Sequence, residues 1–182
     1  MVGTQKARAL LTQIALREAE REGAKTELIT LAQKEIKPCD ACDSCKKTGK
    51  CHIKDDLQPI LEKMLAADGI ILATPVYFGS ATPQIKALID RSGYSSRGKD
   101  GHRPFENKVG GPIVVARRAG QNFTYAQLMF FFMITGMIVP GSTYWNMAFG
   151  REKEEVTKDE EGKRIVMYFG KKLAWLVKKI AE

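Results

Sequence analysis

All four cysteines of the 182-residue chain fall within "PCDACDSCKKTGKC", which runs from Pro38 to Cys51. Their spacing is Cys39-x2-Cys42-x2-Cys45-x5-Cys51. Four thiols this close can form disulfides, bind zinc, wrap an iron–sulfur cluster or stay unligated. A structural zinc site of four cysteines usually draws two separate pairs from different knuckles onto one ion. Three cysteines at successive intervals of three, with a fourth nearby, instead resemble the compact runs that give each iron of a [4Fe–4S] cube one thiolate. Disulfides are disfavoured in most cytosols, hyperthermophiles excepted. Lys46, Lys47, Lys50 and Lys54 would offset the negative charge of a thiolate-bound cluster, whereas His52 is expected to face solvent or cap rather than ligate.

Two other stretches have residue types suited to holding a ligand. "TPVYFGSATP" places Pro75, Val76, Tyr77, Phe78, Gly79 and Ser80 directly after an apolar run. Two adjacent aromatics at a strand end are costly to expose unless something flat covers them. The backbone of such a stiff loop can also hydrogen-bond the edge of a heteroaromatic ring. The alternative is that Tyr77 and Phe78 pack on neighbouring helices or on a partner subunit. The second stretch, "ARRAGQNFTY", sets Ala116, Arg117, Arg118 and Gly120 at the next strand end. Arginine forks bind carboxylate or phosphate and lie over rings, and glycine admits a close backbone approach. An ordinary surface arginine pair in a turn is the alternative.

The elements that must position these residues follow from periodicity. "TQKARALLTQIALREAEREG" spaces its apolar residues as a helix with Gly23 as its stop. "TELITL" reads as a short strand. "DDLQPILEKMLAA" opens with two acids suited to a helix N-terminus. "GIILAT" and "GGPIVVA" are continuous apolar runs of the kind buried on both faces of a sheet. "TPQIKALIDRSG" is a helix with Thr82 as N-cap and Pro83 in its first turn. "NFTYAQLMFFFMITG" is a helix, "MIVPGSTYWNMAFG" starts as a strand, "REKEEVTKDEEG" is a solvated linker, and "EEGKRIVMYFGKKLAWLVKKIAE" closes the chain as an amphipathic helix. Apolar strands alternating with helices specify an α/β doubly wound parallel sheet in three α/β/α layers. The expectation is one domain over residues 1–182, with the cysteine loop inserted at 38–52. Ligands in such folds bind outside the carboxyl ends of the strands.

Composition excludes other classes. Apolar residues at 44% and charged residues at 27% are ordinary for a globular chain. The longest apolar stretch falls short of the ~20 residues a membrane span needs, and "MVGTQKARALL" lacks a signal peptide's apolar core. A cytoplasmic protein without membrane attachment is expected. The net charge of +8 is spread over helices without a nucleic-acid motif, so it is expected to be mostly a solvated face, with steering of an acidic protein partner or a phosphorylated cofactor as the alternative and nucleic-acid binding set aside.

With these segments in view, the chain resembles the iron–sulfur flavoproteins, a branch of the flavodoxin-like, NADPH-dependent FMN reductase-like proteins. "LATPVYFGSATPQIKALIDRSGY", "VVARRAGQ", "FFFMITGMIVPGSTYWN" and the cysteine loop stand in family order over nearly all of the chain. The resemblance implies FMN at the strand ends, with the 75–80 loop against its ring and residues 116–120 nearby. It implies a [4Fe–4S] cluster on Cys39, Cys42, Cys45 and Cys51, next to the flavin so that electrons pass between them. It further implies electron transfer from a ferredoxin-like donor or NAD(P)H, and assembly as a homodimer or homotetramer. The cofactors carry the chemistry of an FMN-dependent oxidoreductase, so no catalytic side chain is assigned. The rivals are an NAD(P)H-dependent FMN or quinone reductase without a cluster, and a non-enzymatic zinc-knot protein of the same shape. The N-terminus departs from the family, whose members begin with a strand and a glycine- and serine-rich phosphate loop. Gly3 and Thr4 correspond to the tail of that loop, and a start upstream of Met1 is the expected explanation. Without the first strand, which is internal in sheet order 2-1-3-4-5, "TELITL" should stand apart from "GIILAT" across a gap.

Overall fold

The computed structural model describes residues 2–97, 103–151 and 153–182, with side chains from residue 7 onward apart from 153. Three parallel strands run in the order β1 (Gly69–Pro75), β2 (Val109–Ala116) and β3 (Met147–Phe149). β1 and β2 pair in full register from Gly69 opposite Val109 to Pro75 opposite Val115, so their carboxyl ends emerge side by side. Parallel neighbours need a helical return. Here α4 (Pro83–Ser95) joins β1 to β2, and α5 (Gln121–Ile134) leads from β2 towards β3.

The strands bury both faces because helices cover both. Ile70, Leu72 and Val114 join one apolar cluster with α3 (Leu57–Ala66), α4 and α5. Val109, Ile113 and Val115 join the other with α1 (Val2–Arg21) and α7 (Glu160–Ala181), where Ala7, Leu11 and Ala15 repeat at helical spacing against Phe169 and Leu173. This is the expected three-layer α/β/α architecture.

Three expectations are corrected. No strand is assigned to "TELITL". A cavity of about 690 Å³ lies between residues 25–31 and the free edge of β1, walled also by Thr12 and Leu16 of α1 and Met64 of α3. The gap is therefore present, and it explains the missing strand, because an extended segment joins a sheet only where its backbone amides find a ladder. "MIVPG" contributes a single parallel bridge, Ile138 to Val109, and the strand lies later, at β3. The stretch read as linker contains a short helix, α6 (Lys153–Lys158), whose Val156 is fully buried. Among the described residues, no helix is long and apolar enough to cross a membrane.

Candidate functional site

The first part of the site is built where β1 and β2 end. Val76 N–H donates to Val115 O at 2.8 Å, fastening the loop to the neighbouring strand. Tyr77 and Ser80 then exchange two backbone hydrogen bonds, of 2.8 and 3.0 Å. Between them, Phe78 and Gly79 both have positive φ, 49° and 78°. This is the geometry of a tight hairpin turn with two left-handed central residues. A phenylalanine rarely adopts it, and its ring here is fully exposed. Gln127 of α5 locks the turn from behind, its Oε1 accepting from Ser80 Oγ and Ala81 N, each at 2.9 Å.

The second strand-end loop closes on the first. Gly120, at φ 87°, precedes α5, and a Cβ there would lie 2.9 Å from both Gly79 Cα and Val76 Cγ1. Arg117 and Arg118 are exposed beside it. Ala116 is buried and its carbonyl accepts from Gly150 N–H, so its contribution is to shape the loop. The structure thus brings together Pro75 to Ser80 and Ala116 to Gly120, as expected. The side chain of Thr4 lies outside the described residues. Arg8 and Gln127 were not singled out from the sequence. Burial lowers the pKa of Arg8, although the charge of Tyr77 partly opposes this.

The cysteine loop is a separate construction. Ala41 and Asp43 have φ values of 57° and 58°, so the backbone curls between successive cysteines. Successive residues that alternate between left- and right-handed conformations form an anion-binding hollow of backbone N–H groups in many iron–sulfur sites. All four cysteines are free. Burial raises the pKa of Cys45, and the charges of Cys51, Cys42 and Cys39 push it the same way. Ala41 N–H and Ser44 Oγ lie 3.4 Å and 3.3 Å from the sulfurs of Cys39 and Cys42. Lys46 is engaged by Asp43 and by the Tyr94 ring, while Lys47, Lys50 and Lys54 are exposed.

The donor set bears on which metals the loop could hold. One zinc bound by four thiolates at ~2.3 Å needs its sulfurs about 3.8 Å apart. Among the described residues, the donor group gathered within 4.8 Å is Asp40, Cys42 and His52, not three of the cysteines. Four free thiols in one short loop are a donor set that suits an iron–sulfur group. His52 is exposed and lies 2.6 Å from Asp40, in keeping with its expected solvent-facing place.

The loop is anchored by a pair that periodicity did not reveal. Arg91 of α4 is 1% exposed, and its ion-pair partner Asp55 has a fully buried side chain. Arg91 donates from Nη1 to Lys37 O (2.9 Å) and Asp55 Oδ2 (2.5 Å). From Nη2 it donates to Cys51 Sγ (3.3 Å), Ile53 O (3.3 Å) and Asp55 Oδ1 (3.2 Å). Burial alone would raise the Asp55 pKa, but the bonds from Arg91 and from the Lys37 and Leu57 amides hold it below the usual carboxylate range. Tyr94, one turn further along α4, donates to Asp43 at 2.6 Å. This anchorage ties the loop to the helix that follows the aromatic turn. α4 begins just after the aromatic turn, and Arg91 lies eight residues on, about 12 Å along the helix axis.

Comparison with known proteins agrees with this reading. The NADPH-dependent FMN reductase family matches residues 4–152. An iron–sulfur flavoprotein of Methanocaldococcus jannaschii is 42% identical over 185 residues, covering 95% of this chain and 91% of that protein. Another, from Archaeoglobus fulgidus, is 34% identical over 187 residues, covering 97% and 93%. Among solved structures, RosB with the bound intermediate 8-demethyl-8-formylriboflavin-5'-phosphate superposes with a TM-score of 0.75 at 18% identity, covering 94% of this chain and 72% of that one. The Trp repressor binding protein from Bacillus subtilis superposes at 0.67, with 21% identity and coverage of 90% and 92%. The two structures speak for the flavodoxin-like fold alone, whereas the sequence matches are close enough to place the chain: it belongs to the NADPH-dependent FMN reductase family and, within it, to the iron–sulfur flavoproteins.

Proposed function

We propose that the chain is an electron-transfer flavoprotein that holds FMN at the ends of β1 and β2 and a [4Fe–4S] cluster on Cys39, Cys42, Cys45 and Cys51. When bound, FMN supplies one- and two-electron chemistry and the cluster single-electron steps. The protein's own part is to hold, orient and shield. The Tyr77–Ser80 turn offers backbone groups and the exposed Phe78 ring to a flat ligand, and Arg117 and Arg118 offer charge to its polar edge. A ferredoxin-like protein or NAD(P)H is the proposed donor, and the +8 surface suits an acidic protein partner.

The observation that carries this reading is the cysteine loop itself, four unpaired thiols gathered in one short stretch with left-handed residues at Ala41 and Asp43 between them. Anaerobic purification followed by iron, sulfide and flavin analysis tests it. About four irons and one FMN per chain are expected. Flavin without iron would instead favour the NAD(P)H-dependent FMN or quinone reductase, which the family match also supports. Stoichiometric zinc in a colourless preparation would favour the zinc-knot reading.

Assembly as a homodimer or homotetramer belongs to the same proposal. Leu128, Phe131 and Phe132 of α5 are core residues, but Phe123, Phe130, Met133 and Ile134 on the same helix are more than 60% exposed. An apolar stripe of this size suits a partner surface.

A further inference from the structure

Cys51 differs from the other three cysteines in having a buried cation at its sulfur. The guanidinium of Arg91 reaches the loop from α4, a helix that contributes none of the cysteines. It touches both ends of the loop at once: Lys37 O just ahead of Cys39, and Ile53 O just after Cys51. Asp55 accepts from both terminal nitrogens and also from the backbone N–H groups of Lys37 and Leu57. Nε is buried and has no hydrogen-bond partner, so the fork is oriented by what its two outer nitrogens hold.

We propose that Arg91 is a positioning residue for the metal centre: it fixes Cys51 in place and, through the N–H bond to its sulfur, raises the reduction potential of the group that the cysteines bind, with Asp55 limiting the size of that effect. This rests on the iron–sulfur reading above. Hydrogen bonds to ligand sulfurs and nearby charge are among the factors that set cluster potentials, because each stabilises the more negative, reduced form. An arginine suits the task better than a lysine, since a rigid planar fork can serve a carboxylate, two carbonyls and a sulfur together. The Asp55 carboxylate works in the opposite sense. It neutralises the buried cation and so weakens the field that reaches the sulfur.

Opposite shifts are therefore expected from two substitutions. Arg91→Lys keeps the charge and the pairing with Asp55, but a single ammonium cannot also reach Cys51, so the midpoint potential falls. Asp55→Asn leaves the guanidinium at the sulfur without its counter-charge, so the potential rises. The assay is a spectroelectrochemical titration of the cluster signal in wild type and both variants, with iron content and circular dichroism measured in parallel. A merely structural anchor would loosen the loop in both variants and move both potentials the same way, or not at all; either result overturns the proposal. Should Arg91→Lys fail to fold, the direction of the Asp55→Asn shift decides alone, a rise supporting the proposal and a fall or no change overturning it. Wild-type protein without iron would instead defeat the iron–sulfur reading itself, and that failure is seen in the metal analysis before any variant is titrated.

Discussion

Substituting Gly120 by alanine probes the joint between the two strand-end loops. Two separate penalties apply. At φ 87°, a residue with a Cβ pays the left-handed cost of about 1–2 kcal/mol. The new methyl would also stand 2.9 Å from Gly79 Cα and Val76 Cγ1. The first of these is backbone and cannot swing aside, and forced repacking of this kind costs about 1–3 kcal/mol. Gly49 provides the control, since it has φ 70° but nothing within 4 Å of its Cβ position. Gly49→Ala should therefore lose about 1–2 kcal/mol and Gly120→Ala about 2–5 kcal/mol in total. In a domain of this size each 1 kcal/mol moves Tm by roughly 2–4 °C, so the two melts are resolvable by circular dichroism. The functional consequence is sharper. Gly120→Ala must push the Tyr77–Ser80 turn away from α5, so its FMN Kd should rise about tenfold, equivalent to ~1.4 kcal/mol, while Gly49→Ala should stay within about twofold of wild type, well under that tenfold step. Titration of flavin-free protein followed by quenching of flavin fluorescence measures both. Equal melts for the two variants would refute the contact argument. A destabilised Gly120→Ala protein that binds FMN like wild type would show that the two loops do not form the flavin crevice together.

Two further outcomes are expected. In the metal-free chain, iodoacetamide should label Cys45 last, because its thiol is buried whereas Cys39 and Cys42 are exposed. Its labelling should keep accelerating with pH beyond the ordinary thiol range, since burial raises its pKa and keeps it protonated longer; mass spectrometry showing equal rates at Cys45 and Cys39 would contradict the loop geometry. Phe130→Glu, placed on the exposed stripe of α5, should break the proposed homodimer or homotetramer into monomers in light-scattering chromatography, and an unchanged particle mass would remove that stripe from the interface.

How legible each part was follows from the range of the interaction that fixes it. The runs 69–75 and 109–116 were readable because a strand buried on both faces must be apolar throughout, and both are. The aromatic turn and the cysteine spacing were readable because their chemistry is local. "TELITL" misled because β-propensity reports fitness for a sheet surface, not the presence of a neighbour, and its neighbour position is a cavity. Val156 was hidden among charges, its burial being decided by α6 packing against α1 rather than by its own surroundings. Arg91 left one readable sign: it occupies the core-facing register of α4 together with Leu88 and Ser92. Its partner Asp55, 36 positions away, could not be read from spacing.

That pair also bears on why the loop is built as it is. A buried ion pair is a weak source of stability, since well-packed apolar residues of similar volume often do as well or better. Removing one partner, by contrast, strands a buried charge at a cost of about 3–5 kcal/mol. Stability alone therefore does not account for Arg91 and Asp55. Specification does. The cysteine loop contains left-handed residues at Ala41, Asp43 and Gly49, only two small stretches of core contact around Cys45 and Cys51, and a helix of five residues. A segment so short of apolar burial has many conformations of similar energy. A fork that is satisfied only when Lys37, Cys51, Ile53 and Asp55 converge removes most of them, and it does so from α4, the helix that also carries the aromatic turn at its start.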